Sequence, residues 1–120
     1  MEGIRLETEI ITIKGNIVLK LIGEIDVYTA PQFKEAVNEI LKDENLLHLI
    51  IDMNMVSYMD SSGFGILLSA TKRLKPKGGS VNLIGCSSSI ERVLKITKLD
   101  TIFACRKGLE ETIQAIGANN

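Results

Sequence analysis

Over residues 46–53 the chain reads Leu-Leu-His-Leu-Ile-Ile-Asp-Met, an almost unbroken apolar run of strand length. A strand with one wet face alternates apolar and polar residues, whereas a run apolar at nearly every position marks a strand covered on both faces. The segments around it carry two other periods. Ile4, Leu6, Thr8 and Ile10 share one face, with Arg5, Glu7 and Glu9 on the other. This is the pattern of a half-exposed strand, with a register slip near Ile10 and Ile11 where a bulge would fit. Lys14-Gly15-Asn16 is a short turn into "IVLKLIG", so the two strands are expected to pair as an antiparallel hairpin.

After the hairpin the period lengthens. Phe33, Ala36, Val37, Ile40 and Leu41 follow the spacing of an amphipathic helix. Thr29 as N-cap, Gln32 three residues on and Pro31 in the first turn mark its start as a capping box. A second helix runs from the "MDSSGFG" segment to about Leu74, where "PKGG" breaks it. Residues 80–85 read as a short strand. A third helix follows, with Ser88 and Glu91 as a capping box and a stripe of Ile90, Val93, Leu94 and Thr97. A brief strand "TIFA" precedes a last helix with Leu109, Ile113 and Ile116 inward, and residues 117–120 are expected to fray.

The order is β-β-α-β-α-β-α-β-α. Strands that alternate with helices imply right-handed crossovers and a largely parallel sheet, an α/β fold. Loops at the carboxyl ends of such strands usually carry function. Three segments gather there, at residues 23–30, 54–63 and 85–89.

At 120 residues the chain has one domain's worth of length and buries roughly two-thirds of its unfolded surface, enough for a core without staples. Cys86 and Cys105 have no CxxC spacing and suggest ordinary free thiols. Fourteen basic against fifteen acidic residues give a net charge of −1, with no footprint for direct nucleic-acid binding. Lys72, Arg73, Lys75 and Lys77 cluster where cations complement a helix dipole. No apolar run approaches the ~20 residues of a membrane span, and the first residues lack the shape of a signal peptide. The expectation is a soluble cytoplasmic protein.

The chemistry concentrates in Asp60-Ser61-Ser62, followed by Gly63 and Gly65. These residues suit a helix cap, a nucleophile with a helper, or a phosphorylation site. A serine nucleophile needs a base, and the one histidine, His48, sits inside the buried-type strand, out of reach of Ser61. "GFG" falls short of a phosphate-binding glycine loop. Glu24 and Asp26 alternate across a strand end and need not face each other as an acid–base pair.

With the β-β-α lead, "GEID" at residues 23–26 followed by Thr29-Ala30, and "MDSSGFGIL" at residues 59–67, the chain resembles the STAS domain family. More narrowly it is similar to the bacterial anti-sigma factor antagonists. The resemblance covers nearly the whole chain, residues 1–120 as one STAS domain, with Phe64 where leucine is common. It implies a mixed, mostly parallel sheet of four to five strands with an N-terminal hairpin and about four helices. It also implies no catalytic activity and no cofactor, ATP and Mg²⁺ belonging to a partner. That partner is an anti-sigma factor that is a serine kinase: it phosphorylates the serine after the motif aspartate, here Ser61, and a serine phosphatase resets the site. Unmodified antagonist binds the kinase and frees its sigma factor; phosphorylated antagonist does not.

The docking surface expected around Ser61 comprises Asp26, Tyr28, Thr29, Met59, Asp60, Ser62, Gly63 and Phe64. Phe64 is either its apolar anchor or a core residue. Gly63 and Gly65 either clear the approach of a partner or allow tight packing on the sheet. Two rival readings stand beside this one: a ligand- or nucleotide-binding STAS module of a transporter or larger signalling complex, and a serine hydrolase.

Overall fold

A computed structural model describes residues 5–118. The elements are β1 (Leu6–Ile13), β2 (Asn16–Ile25), α1 (Ala30–Ile40), β3 (His48–Met59), α2 (Ser61–Leu74), β4 (Ser80–Ile84), α3 (Ser88–Ile96), β5 (Ala104–Arg106) and α4 (Leu109–Ala118), with 3₁₀ turns at Lys75–Lys77 and Leu99–Thr101. They follow the expected order. One five-stranded sheet runs β1-β2-β3-β4-β5; β1 is antiparallel to β2 and every other pair is parallel.

Lys14 and Gly15 both take positive φ, 51° and 79°, and Ile13 pairs with Asn16 across them. A two-residue turn of this hand matches the twist of the strands it joins. The ladder then runs without a break from Ile13↔Asn16 to Leu6↔Gly23, so the expected slip near Ile10 does not occur. Ile11 and Ile13 point away from Leu6 because the other face is also covered there. Ile4 lies outside the described residues.

Because the parallel strands are laid down in chain order, crossovers of one hand put their helices on one face. Phe33 and Val37 of α1, Phe64 and Leu67 of α2, and Ile90 and Leu94 of α3 all join one core cluster with Leu19, Leu21, Leu49, Ile51 and Met53 of the sheet. On the opposite face, α4 seats Ile116 against Val18, Ile50 and Ile84. Leu49, Ile50 and Ile51 are fully buried, which accounts for the continuous apolar run.

Several boundaries differ from expectation. β3 does not end near Met53 but continues to Met59, pairing with β2 as far as Ile25↔Met59. Two irregularities, between Asp52 and Met55 and between Val56 and Tyr58, insert extra residues on the β3 side. β4 stops pairing at Asp52, leaving this half of β3 more exposed and its sequence loop-like. The α1 capping box is not made: Thr29 Oγ1 donates to Glu24 O at 2.8 Å, and Gln32 Nε2 donates to Leu6 O at 2.8 Å. Ser87, not Ser88, caps α3. The last strand lies at Ala104–Arg106 rather than residues 101–104, displaced by the preceding 3₁₀ turn and the buried Phe103. Gly117 and Ala118, expected to fray, belong to α4.

Candidate regulatory site

Asp60 takes an extended backbone (φ −98°, ψ −171°), and its side chain caps α2 by accepting from the Ser62 N–H at 2.9 Å. The Ser62 hydroxyl donates to the same Asp60 oxygen. Asp60 therefore has a cap's geometry, and Ser62 is held by it. Ser61 begins the helix, is exposed, and its hydroxyl makes no hydrogen bond among the described residues. No acidic side chain lies within the first turn of α2, and the Ser62 and Gly63 N–H groups are already taken by Asp60, so the helix dipole rather than free N–H groups is what favours an anion there.

The segment after β2 packs beside this cap. Asp60 N–H donates to Ile25 O at 3.0 Å, joining the ends of β2 and β3. Asp26 Oδ1 accepts from the N–H groups of Tyr28 (2.9 Å) and Thr29 (3.1 Å), a side-chain turn that holds the loop. Arg5 bridges to Glu24 at 2.9 Å and to Asp26, and its guanidinium lies 6.0 Å from the centre of the Tyr28 ring. Glu24 and Asp26 thus converge on one cation, Arg5. Burial opposes ionisation of Asp26, but the Thr29 and Tyr28 N–H groups and Arg5 outweigh it and hold its pKa below the ordinary carboxylate value. Carboxylates neutralised in this way suit loop scaffolding rather than proton transfer.

The structure divides the expected docking residues. Tyr28 is 81% exposed, Ser61 is exposed, and Asp26, Asp60 and Ser62 are half-buried. Thr29, Met59, Gly63 and Phe64, expected at the contact surface, are buried, although Met59 and Phe64 also line a groove that opens beside Ser61. Phe64 belongs to the core cluster and is not an exposed anchor. A Cβ on Gly63 would lie 2.4 Å from Met59 Cγ and 2.9 Å from Ile25 Cγ2, so this glycine is required by sheet packing. Gly65 has nothing within 4 Å of its Cβ position and leaves the helix surface open.

Two features escaped the sequence. Val27, beside Tyr28, is 63% exposed. A mainly apolar groove of about 450 Å³ runs from Ser61 between α2 and α3, lined by Gly65, Leu68, Val93 and Thr97. The sequence puts Val93 and Thr97 on the apolar stripe of α3 with Ile90 and Leu94, but Val93 is 38% exposed and both line this groove instead. At the other end of β3, His48 Nδ1 shares a 2.7 Å hydrogen bond with Ser80 Oγ. The 12-residue strand puts it roughly 35 Å from Ser61, and no Ser–His pair forms there.

The STAS domain family matches residues 7–115. This chain belongs to the STAS domain family. The anti-sigma-B factor antagonist of Listeria monocytogenes is 42% identical over 80 residues, covering 67% of this chain and 69% of that one. The Staphylococcus aureus protein of the same name is 32% identical over 92 residues, covering 77% and 84%. Among solved structures, an anti-sigma factor antagonist from Mycobacterium paratuberculosis superposes with a TM-score of 0.82 at 25% identity, covering 92% of each chain. The mixed sheet, N-terminal hairpin and four helices of this STAS domain agree with that fold. The strand order does not reverse along β2 to β5. Among the described residues, no helix is long and apolar enough to cross a membrane.

Proposed function

We propose that this STAS domain is an anti-sigma factor antagonist that binds an anti-sigma factor serine kinase through the Ser61 end of the sheet. Phosphorylation of Ser61 by that kinase releases the complex, and a serine phosphatase restores it. The domain acts as a regulatory substrate, not as a catalyst; ATP and Mg²⁺ enter with the kinase. One observation carries this reading: Ser61 presents an exposed, unbonded hydroxyl at the first position of α2, beside a cap that already engages Ser62.

Phosphorylation adds about −1.5 to −2 charges next to Asp60. The helix end tolerates them, whereas a partner docked over Ser61 meets a like-charge or buried unpaired group costing several kcal/mol. About 3 kcal/mol weakens binding roughly a hundredfold. Control is therefore exerted at the surface, without a change of fold.

Incubation with the cognate anti-sigma kinase and ATP, followed by peptide mapping, is expected to place one phosphate on Ser61. Ser61→Asp is expected to lose about a hundredfold in kinase affinity while its circular dichroism and melting stay close to wild type. An unmodified Ser61 overturns the reading. Tight nucleotide binding without a kinase, together with an unmodified Ser61, identifies a ligand-binding module instead.

A further inference from the structure

β1 forms one edge of the sheet and β5 the other. An edge presents a row of unpaired N–H and C=O groups, a template for a further strand, and proteins blunt it with short strands, prolines, bulges or charge. β5 is blunted by its length, three residues from Ala104 to Arg106. β1 runs for eight residues, Leu-Glu-Thr-Glu-Ile-Ile-Thr-Ile, with no proline and no bulge against β2.

The hairpin fixes which groups of β1 face outward. In an antiparallel ladder, residues that exchange both bonds with the neighbouring strand alternate with residues whose groups point the other way. Ile13 and Asn16 flank the two-residue turn, and at the far end Glu24 N–H donates to Arg5 O at 3.0 Å. The odd-numbered residues of β1 therefore bond to β2, and the N–H and C=O groups of Leu6, Thr8, Ile10 and Thr12 point away from it. Leu6 O is taken by Gln32 Nε2 at 2.8 Å. No hydrogen bond among the described residues reaches the outward groups of Thr8, Ile10 or Thr12.

We propose that β1 pairs antiparallel with β1 of a second copy of this chain, about a two-fold axis through Ile10, joining the two sheets into one. Ile10 then faces Ile10, and Thr8 faces Thr12 of the second copy, so all three open residues exchange both bonds. Thr–Thr pairs favour such a ladder, and the exposed Ile10 side chains cover one another. On the other face Glu9 stands opposite Ile11, and Glu7 opposite Ile13. Glu7 also comes beside Lys14 of the second copy, whose Nζ is held on this face by Glu110 of α4 at 3.0 Å. The symmetry repeats this charge match on both sides of the axis. Centring the pairing on Glu9 instead sets two carboxylates face to face and competes with Gln32 for Leu6 O. Centring it on Ile11 opposes Thr8 to Lys14, which lies in the turn at positive φ, and leaves only Ile10 and Thr12 to bond. β1 is thus complementary to itself in one register, which makes a second copy its occupant.

The two-fold axis runs the strands of the two copies in opposite directions. Their Ser61 ends lie at opposite poles of the joined sheet, and neither is covered. Self-pairing does not depend on Ser61 being a phosphoacceptor.

Sedimentation velocity of the full chain, from micromolar to millimolar protein, is expected to show monomer converting to dimer. Amide hydrogen exchange followed by NMR over the same series is expected to show Thr8, Ile10 and Thr12 gaining protection in step with the dimer fraction. Ile10→Lys places like charges across the axis at an exposed position and is expected to weaken the dimer by at least about tenfold, with the melting curve of the monomer little changed. A monomer throughout the range, or a dimer whose three amides exchange as fast as in the monomer, overturns the proposal. So does a dimer that Ile10→Lys leaves at wild-type strength.

Discussion

The backbone N–H of Asp60 donates to the carbonyl of Ile25 at 3.0 Å, so the residue that caps α2 also latches the end of β3 to the end of β2. Asp60 acts through its main chain on the sheet and through its side chain on the helix. Asp60→Ala keeps the first bond and removes the second. It is expected to lower unfolding stability by about 1 kcal/mol, read as a shift of the urea midpoint at unchanged slope. Asp60→Asn is expected to recover most of the loss, because its amide oxygen can cap as well.

The two motif glycines predict opposite outcomes. Gly63→Ala places a methyl group against Met59 and Ile25 and is expected to destabilise by about 1–3 kcal/mol. Gly65→Ala meets open space within a helix and is expected to stabilise by up to about 1 kcal/mol. Thermal unfolding of the two variants, compared with wild type, tests the sign of each effect.

Phe64 and Tyr28 separate core from contact. Phe64→Ala opens a cavity in the main cluster and is expected to cost about 3–5 kcal/mol. Tyr28→Ala, at an 81% exposed position, is expected to change stability by less than about 0.5 kcal/mol. On the proposed function, calorimetric titration with the anti-sigma kinase shows Tyr28→Ala weakening binding by about tenfold or more.

Acid is expected to loosen the Asp26 loop. The Asp26 pKa is lowered in the folded state, so the ionised carboxylate contributes stability that is fully present above its unfolded pKa of about 3.9 and lost as pH falls through the folded value. Wild type should therefore exceed Asp26→Asn in stability at neutral pH and lose that margin below about pH 4. Urea unfolding of both proteins across that range measures the difference; a margin that grows in acid contradicts the hydrogen-bond assignment.

Element order was legible wherever one periodicity dominated, as in the run around Leu49–Ile51 or the stripe of Phe33, Ala36, Val37 and Ile40. The second half of β3 was not. It pairs with β2 but lacks β4 on its other side, so Met55 and Tyr58 stay exposed and the alternation dissolves. Thr29 and Gln32 have the spacing of a capping box, but the Glu24 carbonyl at the end of β2 and the Leu6 carbonyl of β1, 26 positions from Gln32, engage them instead. At the site, the Asp60 cap could be read locally, because a cap depends on residues within one turn. Which of Phe64 and Tyr28 faces outward, and which of Gly63 and Gly65 is crowded, depends on how α2 seats on Ile25 and Met59. Nothing within a few residues encodes that.

The Lys14–Gly15 turn has a consequence at the far end of the molecule. β2 separates it from the Ser61 end by ten residues, roughly 30 Å of strand. A tether or fluorophore attached at that turn stands clear of the phosphoacceptor, of the groove beside α2 and of the exposed Tyr28. Held to a sensor surface by its hairpin, the protein presents Ser61 outward, so the modified and unmodified forms can be compared in one fixed orientation.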